Sequence, residues 1–403
     1  MSIFSGLPRP VRRALRWDAT AGLLIGVFSG ALFPFLGVIA RRDLHASAYL
    51  IALLSVAGSV GNLFNPVMAH YIRCRAKLPY AVLPFATGRL FYLLMPFSGS
   101  AYSFVAICFL GSAVTTLGSP AYAAVIRDAY PVARRGQLMG AVRVLIVGTT
   151  MLGSLASGFL LTHYDYHWIF PVITLFGLAS TVCFSRIGIP AEPGDDVTPD
   201  DRKVWAAFRM PRADRAFRLY VTYFYIYGLG NLILGPVVPI FQVDVLKITP
   251  QWVGYLATAS SACSMLGYLY WGRVLDRHGP FKLMLFVTAV LAIMPITYFF
   301  AHSVPVLLIA AAASGFAVAG GDLGYVNAAM RFAPRDSVVT YAGTFAFLQA
   351  MRGIPGPFIG AWLSNNSMIG PRPVFLVTLG LWAIAASIMV FGGGLRLKPV
   401  EQK

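Results

Sequence analysis

Runs of about 20 apolar residues alternate with short polar segments along the whole chain, and a run of that length lets an α-helix cross a membrane. Strands of a barrel would be shorter and would alternate in hydrophobicity, which these runs do not. We therefore expect an all-α membrane protein with twelve transmembrane helices. The predicted spans cover residues 18–40, 47–71, 78–97, 101–126, 137–162, 168–188, 216–243, 250–271, 280–300, 304–330, 336–364 and 371–393.

The longest polar stretch separates the sixth span from the seventh. We expect an N-terminal six-helix half over 1–188, a cytoplasmic linker over 189–215 and a C-terminal six-helix half over 216–403. The halves repeat each other weakly, because "GSPAYAAVIRD" at 118–128 is similar to "GDLGYVNAAMR" at 321–331, an offset of 203 residues. The repeat predicts two pseudo-symmetric halves, an arrangement typical of transporters with a binding site at the membrane midplane.

Composition agrees with a membrane location, because 58% of the residues are hydrophobic and only 12% are charged, against roughly 25% in soluble proteins. A net charge of +17 raises the question of nucleic-acid binding. However, 25 of the 32 lysines and arginines fall in the predicted inner segments and 4 in the outer loops. This bias predicts cytoplasmic termini. The basic loops are therefore interpreted as determinants of topology that can contact anionic lipid, and no nucleic-acid partner is expected. Arginine outnumbers lysine 26 to 6, which favours a bacterial inner membrane.

Between spans 8 and 9 the chain reads "WGRVLDRHGPFKL". The pattern is a glycine, an acid–base pair, a second glycine and a lysine: Gly272, Asp276, Arg277, Gly279 and Lys282. Gly272 would allow two helices to approach closely, Asp276 can meet a neighbouring helix start or an arginine, and Gly279 supplies a turn conformation. An ordinary basic loop is the alternative, but the position after the second span of a half favours a gating turn.

This turn resembles the loop signature of the major facilitator superfamily, G-x-x-x-D-[RK]-x-G-[RK]-x-[RK], with Pro280 in place of one basic residue. The resemblance implies the twelve-helix fold of that family and transport by alternating access. It also implies a latch in which Asp276 contacts the start of span 11, near 336–340, with Arg331 close by. In the first half Arg73 stands at the position of Asp276, so we expect the second-half latch to dominate.

Two further signatures of the family differ in this chain. Drug/proton antiporters carry an arginine and a Gln-Gly pair in span 4, where this sequence has Val114 and Leu117. Their span 5 contains Gly-Pro, whereas the sequence here reads "GTTMLGSLASGF". Both differences argue against a standard drug antiporter.

Asp322 is the one acid in a long apolar stretch of span 10, "FAVAGGDLGYVNAAM". It lies nine residues before Arg331, so it is ~13 Å from the inner end of the helix and near mid-membrane. Placing an ionisable group inside a membrane span costs free energy, so such groups face cavities or partners. Spans 1, 4, 7 and 10 line the cavity in the family that the chain resembles, which makes Asp322 the candidate proton carrier, with Tyr325 one turn further on. The alternative is a structural carboxylate paired with an arginine or capping a helix break.

Three arginines also lie inside spans. Arg89 in span 3 is a candidate binding residue, although structural pairing or packing is the favoured interpretation. Arg143 is expected to extend to the inner interface. Arg352 in span 11, with Gln349 one turn before it, faces either the cavity or a neighbouring helix. The cationic interior favours a substrate that carries a carboxylate or a phosphate.

Span 7 is aromatic, and Tyr223, Tyr227 and Asn231 follow i, i+4, i+8 spacing, which puts them on one helix face. They could stack on and hydrogen-bond a substrate, or serve only in packing. The sequence has no nucleotide-binding loop, nucleophile elbow or metal-ligand spacing. We expect no enzyme activity, no catalytic residue, no metal and no cofactor.

These observations predict a secondary active transporter, working as a monomer. It would move a small organic solute, with anionic solutes favoured, across a bacterial inner membrane by alternating access. A proton or another ion would drive it. An exporter of amphipathic, drug-like compounds is the first alternative. A receptor or assembly factor that has the same fold without transport is the alternative from another class.

Overall fold

A computed structural model describes residues 7–72, 76–131, 134–188, 215–332, 349–366 and 370–392; at 66, 69–70, 215–217 and 325–332 only the backbone is described. The described residues form α-helices, two short 3-10 helices at Met95–Phe97 and Val304–Val306, a π-helical turn at Phe241–Val245 and connecting turns, without β-strands. The helices are α1 Arg9–Arg42, α2 Ala48–Leu63, α3 Asn65–Ile72, α4 Lys77–Tyr92, α5 Ala101–Leu117, α6 Ser119–Ala129, α7 Arg135–His163, α8 Tyr166–Ser185, α9 Arg215–Ile240, α10 Pro250–Leu291, α11 Ile293–Phe300, α12 Leu307–Phe332, α13 Pro355–Asn365 and α14 Pro371–Phe391.

Within the described ranges, nine helical runs are long and apolar enough to cross a membrane, and Ala48–Leu63 is a shorter apolar helix. The run Pro250–Phe300 contains the turn predicted between spans 8 and 9, because Gly279 interrupts it with φ 76° and ψ 170°. The all-α membrane fold is therefore confirmed. The count of twelve spans stays a prediction, since the first part of span 11 lies outside the described residues.

Local sequence explains where several helices begin. Ser100 and Ser103 form a reciprocal capping box before α5, so two backbone N–H groups at the helix start are satisfied. Asp165 caps α8 by accepting a hydrogen bond of 2.9 Å from the backbone N–H of His167. Proline begins α13 and α14, where its missing N–H costs nothing.

Backbone contacts divide the chain into two compact units. The first unit comprises Met1–Leu36, Phe64–Asp200 and Thr249–Thr258. The second unit comprises Gly37–Leu63, Asp201–Ile248 and Ala259–Lys403. The predicted division into halves at 189–215 stays a prediction, because that linker lies outside the described residues.

Small residues allow close helix packing inside each unit. In the first unit α4 packs on α5, and a Cβ built on Gly111 would lie 2.9 Å from the Gly88 carbonyl oxygen. In the second unit α9 packs on α14 and α13, and a Cβ on Gly230 would lie 2.8 Å from Trp382 Nε1. This packing, typical of helices in lipid, fixes the faces that carry polar side chains.

Candidate functional site

Asp322 is exposed although it lies within the apolar helix α12. The hydroxyl of Tyr268, on α10, donates a hydrogen bond of 2.6 Å to Asp322 Oδ2. Tyr268 was not predicted as a site residue, because nothing in "LGYLYWG" distinguishes it from the other aromatic residues nearby. The carboxylate of span 10 is therefore oriented by a hydroxyl of span 8.

Tyr227 on α9 connects Asp322 to the other predicted polar residues of the second unit. It lies within electrostatic range of both Asp322 and Arg352. Its ring stacks on Trp382 of α14, with centroids 5.9 Å apart, and on Tyr223 at the same distance. Tyr227 thus packs on aromatic rings of spans 7 and 12, and its interaction with Asp322 and Arg352 is electrostatic.

Arg352 is held against α9. It is 6% exposed, its guanidinium donates to the Phe224 carbonyl, and its Cζ lies 3.9 Å from the Phe224 ring centroid. A Cβ at Gly228 would overlap the guanidinium, so the bare backbone of this glycine makes the space that Arg352 fills. Gln349, one turn earlier, is exposed. The packing interpretation of Arg352 agrees with these contacts, and its role in binding stays a prediction.

The predicted polar face of span 7 has residues in three different environments. Tyr223 is fully buried, and its hydroxyl donates to the Met284 carbonyl at 3.0 Å and hydrogen-bonds Thr288 at 2.7 Å. Tyr227 is half-buried, and Asn231 is exposed. The Tyr223 hydroxyl therefore joins α9 to α10, and Asn231 is the exposed residue of the three.

Arg89 is a packing residue of the first unit in this structure. It is 5% exposed, and its guanidinium donates to the Gly177 carbonyl oxygen at 2.7 Å and to the side chain of Thr181. The Phe85 ring centroid lies 5.3 Å from its Cζ. These contacts join α4 to α8 and agree with the structural interpretation, and a role of Arg89 in binding stays a prediction. Arg143 is exposed on α7.

The turn between spans 8 and 9 has the predicted backbone, since Gly279 adopts a left-handed φ of 76°. Asp276, Arg277 and Lys282 are exposed. A Cβ on Gly272 meets no described atom within 4 Å, so the close approach expected there is not seen in that part of the chain. The expected partners of Asp276 at 336–340 lie outside the described residues, as do the side chains of Tyr325 and Arg331.

The first unit contains an ion pair that sequence reasoning missed. Lys77 Nζ, at the start of α4, lies 2.5 Å from Asp128 Oδ2, and Arg127 Nε lies 3.1 Å from Asp128 Oδ1. The 203-residue offset aligns Asp128 with Arg331. An acid at the end of span 4 therefore occurs where the second half has a base.

No cluster of three or more metal-ligating side chains occurs among the described residues.

The apolar helices and the polar groups between them define a multi-pass α-helical membrane protein. The family model of the Major Facilitator Superfamily matches residues 19–357 and 226–402. The chain belongs to this family.

Curated relatives align with part of the chain. Multidrug resistance protein MdtG of Proteus mirabilis (strain HI4320) is 29% identical over 194 residues, which are 46% of this chain and 47% of the relative. MdtG of Klebsiella pneumoniae (strain 342) is 24% identical over 274 residues, 64% of this chain and 63% of the relative. The chain thus matches about half of the first relative's length and under two thirds of the second's.

Solved structures match over nearly the whole chain. A mutant of the nucleoside transporter NupG superposes with a TM-score of 0.77 at 11% identity, covering 94% of this chain and 99% of that one. A bacterial homologue of the human lysosomal transporter Spinster gives 0.69 at 13% identity, covering 97% and 98%. At these identities the likeness concerns the fold alone.

Proposed function

We propose that the protein is a secondary active transporter that moves a small organic solute across a bacterial inner membrane by alternating access, with a proton as the coupling ion. The observation that carries the proposal is Asp322, an exposed carboxyl on an apolar membrane helix, bound by the Tyr268 hydroxyl. Membership of a family of membrane transporters supports the same function.

The Tyr268–Asp322 pair suits reversible proton binding. A phenol hydroxyl donates to an ionised carboxylate and accepts from a protonated one, so the pair keeps a hydrogen bond in both states. Protonation of Asp322 can shift the equilibrium between two conformations by as much as the free energy of protonation differs between them.

Contacts of the arginines bear on the substrate class. Arg89 and Arg352 both donate to backbone carbonyls, which weakens the argument for an anionic solute. Asn231 and Gln349 instead offer two exposed amides, which suit neutral hydrogen bonds. This supports a small neutral or amphipathic solute.

A second candidate function is export of amphipathic compounds. It is favoured by the curated relatives, which are named multidrug resistance proteins. We infer cytoplasmic termini in either case from the bias of basic residues, and a monomer as the working unit.

Flux in proteoliposomes tests the proposal. The purified protein is reconstituted and screened with nucleosides, carboxylates and amphipathic cations, with and without a pH gradient. We expect one class to accumulate only with the gradient and to be released by a protonophore. Absence of flux for every class, in vesicles that contain correctly inserted protein, would favour the receptor or assembly-factor alternative.

A further inference from the structure

A bidentate ion pair joins the end of α1 to the segment that follows α9. Arg41 Nε donates to Asp244 Oδ1 at 2.9 Å, and Nη2 donates to Oδ2 at 2.6 Å. The third nitrogen, Nη1, donates to the Ala46 carbonyl at 2.6 Å. Two parallel hydrogen bonds give an arginine–carboxylate pair its strongest geometry. Both residues belong to the second compact unit.

The two helix ends that carry this pair are structural copies of each other. His45 and Lys247, which are 202 residues apart, both adopt a left-handed φ, of 51° and 50°, that is uncommon for residues with a side chain. The backbone hydrogen bonds around them also repeat at that spacing. They are Leu44 N–H to Ile39 O and Leu246 N–H to Phe241 O, and Ala46 N–H to Ala40 O and Ile248 N–H to Gln242 O. This repetition, at a spacing one residue shorter than the offset of 203 in the sequence, supports the duplication that the sequence predicts.

About one helical turn or more from the ion pair, towards the predicted middle of the membrane, small residues bring spans 1 and 2 into direct contact with spans 7 and 11. A Cβ on Gly37 would lie 3.1 Å from Pro239, and a Cβ on Gly235 would lie 2.9 Å from Ser55 Oγ. A Cβ on Gly353 would overlap the Ser59 hydroxyl. We call these contacts the outer seam: Gly37, Ser55 and Ser59 on spans 1 and 2, facing Pro239, Gly235 and Gly353 on spans 7 and 11. A seam this close leaves no room for a solute to pass along it.

We propose that the Arg41–Asp244 pair is a clamp that holds the outer seam closed, and that the seam opens only when the pair breaks. The inference rests on the proposed function, which requires the outer ends of the spans to separate. The sequence predicts Arg41 and Asp244 at the outer side, opposite the Asp276 turn. The two side chains are 27% and 36% exposed, so water can solvate both charges when they part. That exposure suits a contact that must break once in each transport cycle.

The test measures how fast a cysteine in the seam reacts. Ser55→Cys is introduced into a chain whose native cysteines are replaced by serine, and the purified protein is labelled with a maleimide in detergent. We expect Asp244→Asn and Arg41→Gln to raise the labelling rate about three- to tenfold. The exchanged pair Arg41→Asp with Asp244→Arg should bring the rate back toward the original value.

Asp43→Asn is the matched control. It removes the neighbouring exposed pair, in which Arg42 Nε lies 2.6 Å from Asp43 Oδ1, and should leave the rate unchanged. Equal rates in Asp244→Asn and Asp43→Asn would overturn the clamp. If the exchanged pair does not fold, Arg41→Lys must label more slowly than Arg41→Gln, and an equal or faster rate would also overturn it. Labelling needs neither solute nor flux, so a folded protein that transports nothing would refute the proposed function and still allow the clamp to be tested.

Discussion

Replacing Gly228 by alanine tests whether Arg352 packs against span 7 or faces open space. The added methyl group would overlap the guanidinium, which is 6% exposed and bonded to the Phe224 carbonyl. Overpacking of a tight interior costs about 1–3 kcal/mol. Loss of a buried hydrogen bond from a charged donor costs roughly 1.5–3 kcal/mol more if the guanidinium must leave its carbonyl. With both costs, we expect Gly228→Ala to lower the free energy of unfolding by about 2.5–6 kcal/mol.

Gly380→Ala is the control for that substitution, because it adds the same methyl group in the same unit and meets no described atom within 4 Å. Alanine is the better helix former by up to about 1 kcal/mol, so this variant should be neutral or slightly stabilised. Thermal unfolding of both variants in one detergent gives the comparison. Repeating Gly228→Ala in an Arg352→Met background should recover most of the loss. Equal unfolding temperatures for Gly228→Ala and Gly380→Ala would refute the packing of Arg352.

Three further predictions concern topology, the inner turn and Arg89. Asp200→Cys should not react with an impermeant reagent outside intact cells, and labelling there would contradict the cytoplasmic linker. Asp276→Asn should weaken closure of the inner side, so unchanged cross-linking of the inner ends and unchanged transport would exclude a latch. Arg89→Gln should lower the free energy of unfolding by about 1–3 kcal/mol without changing the apparent KM of a solute; a raised KM with unchanged stability would place Arg89 in the binding site.

Hydrophobic periodicity and length predicted most of the fold, because lipid leaves the backbone few alternatives to the helix. The turn at Gly279 was also predictable, since glycine adopts a positive φ at no steric cost and so favours a turn between two helices. What contacts each polar side chain was not predictable. Arg352 and Gly228 are far apart in sequence, and their contact depends on how span 11 packs on span 7.

In the candidate site, too, some residues could be predicted from the sequence and others could not. Asp322 was identified because a lone acid in an apolar run is costly and therefore informative. Tyr268 was missed because a tyrosine among other aromatic residues costs little free energy in a membrane helix, so its presence does not indicate a site. Lys77 and Asp128 were missed because an ion pair between loop ends depends on tertiary structure, and their spacing along the chain indicates nothing.

The most direct test of proton coupling is a comparison of Asp322→Asn with the unchanged protein in the same vesicles. The amide keeps the size of the side chain and a hydrogen-bond acceptor for Tyr268, but it cannot take up and release a proton. We predict that the variant inserts, loses accumulation after a pH jump and retains counterflow exchange, because exchange needs solute binding and no net proton movement. Normal accumulation by Asp322→Asn would contradict the account and show that the carboxylate is structural.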